Sequence, residues 1–189
     1  MATTKIPIVV KAAVAPPPLP PVTAGEMSRQ TLLIAFVDMA RFQIASRRVK
    51  DDVLLGILEE YYDRVADGLK PAGGRVVKVM GDGVLVVFPI DRASQAARAL
   101  LMLKSELDAR LTKRQFATTV VARVHAGEVM AGALGPKGDR RFDVIGQAVN
   151  RAASIRSSDG VALSADAWVK LDAKTQKLFR QRGDYYVPV

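Results

Sequence analysis

Apolar residues recur along this chain with two distinct periods. Residues 31–39, TLLIAFVDM, form an almost unbroken apolar run that predicts a buried strand with Asp38 where the run gives out. From Val49 to Leu69 the positions Val53, Leu54, Ile57, Leu58, Tyr61, Tyr62, Val65 and Leu69 fall three and four apart, which predicts an amphipathic helix stopped by Pro71, Gly73 and Gly74. Two β-prone runs, Arg75 to Met80 and Val84 to Phe88, flank Gly81, Asp82 and Gly83 and predict a tight hairpin. A second helix is predicted from Ser94 to Leu111, with Ala97, Leu100, Leu101, Leu103 and Leu107 inward. The stretch ATTVVARVHAGEVMAGALG predicts a strand to about His125 and a glycine-punctuated segment after it. A helix at about Ala148 to Arg156, a strand at Val161 to Ser164, a helix around Ala165 to Leu171 and a last strand at Tyr185 to Val189 complete the series. This order of strand, helix, hairpin, helix and strand, then helix and strand again, predicts an α+β fold: a sheet covered by helices on one face. No internal repeat is visible.

Composition narrows the picture. Residues 1–29 carry a proline cluster, Pro16 to Pro21, that favours extended polyproline conformation and reads as a flexible tail, leaving 30–189 as one compact domain. With 49% apolar and 25% charged residues, such a domain can bury a sizeable core. The absence of cysteine excludes disulfides, thiolate metal sites and cysteine nucleophiles. No signal peptide is visible and the apolar pieces before residue 30 are too short to span a membrane, so a cytoplasmic protein is the simplest expectation. The net charge of +9 favours a polyanionic partner: nucleic acid, an acidic membrane surface or a triphosphate. The basic residues are scattered and few aromatics are interleaved with them, so no nucleic-acid partner is expected.

Two carboxylates stand out, Asp38 at the end of one apolar strand and Asp82 in the hairpin after another. Strand ends brought side by side would place the two together, and close carboxylates are tolerated mainly when a cation neutralises them. Oxygen ligands of this kind suit Mg²⁺ or Mn²⁺ bridging substrate phosphates. The alternative keeps them separate: Asp82 as an ordinary turn aspartate, Asp38 as a helix cap.

The segments FVDMARF, GGRVVKVMGDGVLVVFP and RRFDVIGQAVNRAAS together resemble the three active-site motifs of the class III nucleotide cyclases, the adenylate and guanylate cyclase family. They stand in the family's order and spacing from about residue 31 to 171, and VHAGEVMAGALG between them also resembles the family's pattern. The resemblance implies a ferredoxin-like palm, an antiparallel sheet with helices packed on it, and a head-to-tail homodimer with two sites at the interface. It implies that Asp38 and Asp82 bind two divalent ions per site, with the Met39 backbone carbonyl adding to the metal shell. The family's reaction is in-line attack of the ribose 3′-hydroxyl on the α-phosphorus, releasing pyrophosphate and a 3′,5′-cyclic nucleotide.

Lys78 and Asp143 match the family's base-reading pair, and a donor beside an acceptor suits the N1 and N6 edge of adenine, so ATP is the first choice of substrate. Asn150 matches the asparagine that orients the ribose. Lys78, Asp143 and Asn150 of one subunit are then expected to face Asp38 and Asp82 of the other. Read singly, these residues are also an edge charge, a turn residue and a helix cap.

The chain departs from the family at several points. Ser154 stands where the family places its transition-state arginine, and Arg151, three residues earlier on nearly the same helix face, is the candidate substitute. In the loop after the first aspartate, Arg41 replaces the usual glycine and Gln43 the usual threonine; Arg41 and Phe42 are candidate substrate contacts, and Arg41 either binds phosphate or obstructs the site. The sequence ends at YYVPV without the Lys-Gly hairpin from which many members supply a phosphate-binding lysine. His125, Trp168 and Phe179 read as packing residues, and no hydrolase triad is visible. Three functions remain open: a cyclase making cyclic AMP, a pyrimidine cyclase making cUMP or cCMP, which the resemblance to stand-alone bacterial anti-phage members keeps in play, and a silent cyclase-like domain that binds nucleotide or dimerises.

Overall fold

The computed structural model describes residues 27–157 and 160–189; the proline-rich segment expected as a tail lies outside the described residues. The chain forms strand β1 (Met27–Ala40), helices α1 (Phe42–Ser46) and α2 (Asp51–Leu69), strands β2 (Arg75–Met80) and β3 (Gly83–Pro89), and helix α3 (Ala93–Lys113). Then follow β4 (Thr119–Leu134), β5 (Arg141–Ile145), α4 (Gln147–Ser154), β6 (Val161–Ser164), α5 (Ala165–Trp168), α6 (Ala173–Gln176), β7 (Phe179–Arg182) and β8 (Tyr185–Pro188). The strands make one sheet in the order β2-β3-β1-β4-β6-β8-β7, with β5 paired to the far half of β4.

The long antiparallel pair of β1 and β4, in register from Met27–Gly132 to Ala40–Thr119, forms the spine. Side chains of a strand alternate between faces, and this alternation sorts the core in two. Leu33, Ala35, Val37 and Met39 join Val84, Val86 and Phe88 beneath α2 and α3, whose Ile57, Tyr61, Val65, Leu100, Leu103 and Leu107 fill the main core. Asp51 and Asp52 in the first turn of α2 and Arg110 and Lys113 in the last turn of α3 suit the helix dipoles. Leu32, Ile34, Leu85 and Val87 point the other way and pack with Val129, Ala131, Val144, Ala148 and Ala152.

Several expectations need correction. Helices cover both faces, because Val129 and Ala131 give β4 a second apolar face on which α4 packs. Gly127 permits that approach, since a Cβ there would lie 2.7 Å from the Ala148 Cβ. The segment expected to break after His125 is one strand of 16 residues, its glycines held in the ladder by pairing with β1 and β5. The sheet is antiparallel except at β4 and β6, which run parallel; the intervening chain includes α4, and a crossover of that kind joins parallel strands. Strand β1 is longer than the apolar run alone predicts, because its pairing with β4 continues past the apolar centre in both directions. A C-terminal hairpin does form, β7 and β8 turning through Gly183 at φ 59°, with Arg182 preceding the glycine.

Candidate active site

Asp38 lies on the α4 face of β1, two residues beyond Phe36, while Met39 turns its side chain into the main core and leaves only its backbone to the site. The Met39 N–H donates to Asp38 Oδ1 at 2.9 Å. Asp82 occupies the two-residue turn between β2 and β3, with Gly81 at φ 62° in the first position as a II′ turn requires. The Tyr62 hydroxyl of α2 pins this turn by donating to the Gly81 carbonyl at 2.6 Å. Asp82 lies beside Asp38 on the same cavity: burial first, then the neighbouring Asp38 carboxylate, push the Asp82 carboxyl up to about 6. The strand ends thus bring the two carboxylates to one cavity.

The pair opens on a cavity of about 510 Å³ that Met39, Arg41 and Phe42 also line, with Phe36, Ile44 and Met80 as its apolar wall. Arg41 caps α1 in the left-handed conformation, φ 62° and ψ 25°, and accepts from Ile44 and Ala45 through its carbonyl. That backbone is the reason glycine suits the position, and an arginine there is strained by about 1 kcal/mol.

Lys78 owes its direction to a bulge. Val76 pairs with Val86 on the main-core side, but the register shifts and Lys78 pairs with Leu85, on the same face as Asp38. Asp143 comes to it on β5, which is no neighbour of β2 in the sheet but packs across the second core cluster through Phe142 and Val144. Lys78 Nζ donates to Asp143 Oδ2 at 2.7 Å, the Asp143 Oδ1 accepts the Val144 N–H, and Arg75 stacks 3.5 Å over the Phe142 ring beside them. An ammonium and a carboxylate held together at an accessible edge can address a base that offers one acceptor and one donor.

A family model for the adenylate and guanylate cyclase catalytic domain matches residues 26–188. The chain belongs to this family. An adenylate cyclase of Anabaena cylindrica is 25% identical over 150 residues, which span 75% of this chain and 30% of that protein, so this chain spans about a third of that relative. A bacterial light-regulated adenylyl cyclase superposes with a TM-score of 0.78 at 21% identity, covering 86% of this chain and 53% of the other. The guanylyl cyclase Cya2 superposes at 0.72 and 19% identity, covering 85% and 90%. At those identities the two structures speak for the fold.

In this cyclase domain the remaining expected residues stand apart from the carboxylate pair. Asn150 and Arg151 lie mid-helix on exposed turns of α4, whose N-cap is Gly146 rather than Asn150. Arg151 lines a second cavity, of about 520 Å³, with Arg29, His125 and Asp166. Ser154 bonds back to the Asn150 carbonyl at 2.7 Å. Neither Asn150 nor Arg151, nor Lys78 with Asp143, lines the Asp38 cavity within one chain. His125 is buried, shares a hydrogen bond with Ser164 at 2.8 Å and is kept low in pKa by that burial, as a core histidine would be. Trp168 stacks on Tyr186 and Phe179 is buried in the main core.

One residue escaped the sequence reading. Arg123 on β4 pairs in register with Phe36 and donates to Asp38 Oδ2 at 3.1 Å. Its signal was a charge at an alternate position of VVARVHA, sharing a face with His125 in an otherwise apolar strand.

Proposed function

We propose that this protein is a divalent-metal-dependent nucleotide cyclase that converts a nucleoside triphosphate, with ATP preferred, to a 3′,5′-cyclic nucleotide and pyrophosphate at the interface of a head-to-tail homodimer. The observation that carries the reading is that Asp38 and Asp82 line one cavity together with the Arg41 loop. The donor set, two carboxylates and a backbone carbonyl at Met39, is all oxygen and fits Mg²⁺ or Mn²⁺. Sites of that composition take their remaining ligands from water and substrate phosphates. When bound, two ions per site would stabilise charge on the phosphates and acidify the attacking hydroxyl.

The chain's own residues divide the remaining work. Lys78 donates to N1 and Asp143 accepts from the N6 amine of adenine, which requires the base edge to enter their present ion pair. Asn150 orients the ribose. Arg41 and Phe42 meet the phosphates in the loop, and Arg151 is the α4 arginine available where Ser154 cannot serve. Because the two groups of residues do not meet in one chain, a second copy must bring Lys78, Asp143 and Asn150 to the carboxylates. With an intracellular nucleotide as substrate, the reading places the protein in the cytoplasm; no helix among the described residues is long and apolar enough to cross a membrane.

Ser154 tied to the Asn150 carbonyl, and Arg41 strained within the loop, favour a second reading: a silent domain that binds nucleotide or dimerises. Incubation of the purified protein with each of the four nucleoside triphosphates and Mn²⁺, with products identified by mass spectrometry, separates the readings. Cyclic AMP is expected. Cyclic UMP or CMP would move the assignment to a pyrimidine cyclase, and no cyclic product from any triphosphate would leave only the silent domain.

A further inference from the structure

Arg123 touches the carboxylate that the proposed function assigns to the metal. The register of β1 and β4 sets Asp38 opposite Val121 and Phe36 opposite Arg123, so Arg123 is the diagonal neighbour of Asp38 on the same face. Both side chains are about a quarter exposed, 26% and 27%, and Arg123 Nη2 lies 3.1 Å from Asp38 Oδ2. Oδ1 of the same carboxylate accepts the Met39 N–H. Each oxygen of Asp38 therefore has a partner, and a divalent ion at Oδ2 competes with the guanidinium for that oxygen's charge.

We propose that Arg123 is an exchangeable cation of this site: it holds Asp38 while no divalent ion is bound, leaves Oδ2 when the ion arrives, and then binds the phosphates of the incoming nucleotide. The inference rests on the reading of Asp38 and Asp82 as the metal pair. One positive charge beside two neighbouring carboxylates satisfies them only in part, so an ion of charge two competes with it favourably. A guanidinium released into a half-buried site has lost its partner and needs another anion. Phosphate oxygens, which the planar fork of arginine binds two at a time, are the anions that arrive with the ion.

The test uses the full chain as wild type, R123Q, R123K and D38N, each checked for folding by circular dichroism. Free Mn²⁺ is followed by electron paramagnetic resonance, first with Mn²⁺ alone and then with Mn²⁺ and inorganic triphosphate. D38N is expected to lose Mn²⁺ binding. R123Q should bind Mn²⁺ alone about three- to tenfold more tightly than wild type, the loss of a partly exposed competing pair. With triphosphate present, R123Q should bind the Mn²⁺ complex about three- to tenfold more weakly, because a charge-assisted contact is gone. R123K, which keeps the charge, should stay near wild type with Mn²⁺ alone. Equal Mn²⁺ affinity in wild type and R123Q, with binding still lost in D38N, would overturn the exchange and leave the metal pair intact. Unchanged triphosphate binding in R123Q would overturn the phosphate step. Absence of Mn²⁺ binding in every variant would overturn the metal pair and the exchange with it.

Discussion

The two faces of the sheet are built from alternate residues of the same strands, yet they differ in what covers them. Leu33, Ala35, Val37 and Met39 of β1 lie beneath α2 and α3, helices of 19 and 21 residues that close this face with a continuous core. Leu32 and Ile34 face α4 and β5, elements of eight and five residues, which cover only part of the other side. Where that cover stops, the same face carries Asp38 and Arg123, and the bulge in β2 adds Lys78. A short helix on one side of a sheet leaves room for chemistry, while long helices on the other supply stability.

Substitutions should separate the two faces. Asp38→Ala and Asp82→Ala are each expected to lower turnover by at least about 10³-fold, by analogy with other losses of transition-state charge stabilisation, while both proteins stay folded by circular dichroism; full activity in either would refute the metal assignment. On the closed face, Leu100→Ala should cost about 2 to 5 kcal/mol in urea unfolding, because a fully buried leucine of α3 leaves a cavity, with the specific activity of the folded fraction unchanged. A loss of specific activity at full stability would mean that the faces are not independent.

The pH dependence offers a finer discrimination. Asp82 is pushed up to about 6 from an ordinary value of 3.8. Between those values the native state binds more protons than the unfolded chain, so the metal-free protein loses stability as pH rises from about 4 through 6. Asp82→Asn should lack that decline, and thermal melts of the two proteins across pH 4 to 7 measure the difference. Saturating Mn²⁺ should offset the decline in wild type at neutral pH. The smallest expected effect is at Arg41: Arg41→Gly relieves the left-handed strain and should raise stability by about 1 kcal/mol or less, since the added chain entropy of glycine opposes the gain.

Helices α2 and α3 were legible in the sequence because one-sided burial imposes a three-and-four spacing, and the β2–β3 hairpin because Gly81 and Asp82 satisfy a specific turn. The full length of β4 was not, since Gly127 and Gly132 look like breaks until α4 packs on one and β1 and β5 pair with the other. The meeting of Asp38 and Asp82 at one cavity followed from strand ends. The Lys78–Asp143 pair depended on a one-residue bulge and on β5 folding across from β4, neither of which local patterning encodes. Arg123 was hidden for a similar reason: its partner is set by a cross-strand register 85 residues away in sequence.

The central claim is that Asp38 and Asp82 of one chain work with Lys78, Asp143 and Asn150 of another. It is tested most directly by coexpressing Asp38→Ala and Asn150→Ala chains under different tags, purifying the mixed dimer in tandem and measuring cyclic nucleotide formation. Each homodimer should be nearly inactive, and the mixed dimer, with one site intact and one doubly impaired, should recover about half of the wild-type rate. A mixed dimer no more active than either homodimer would contradict the composite site.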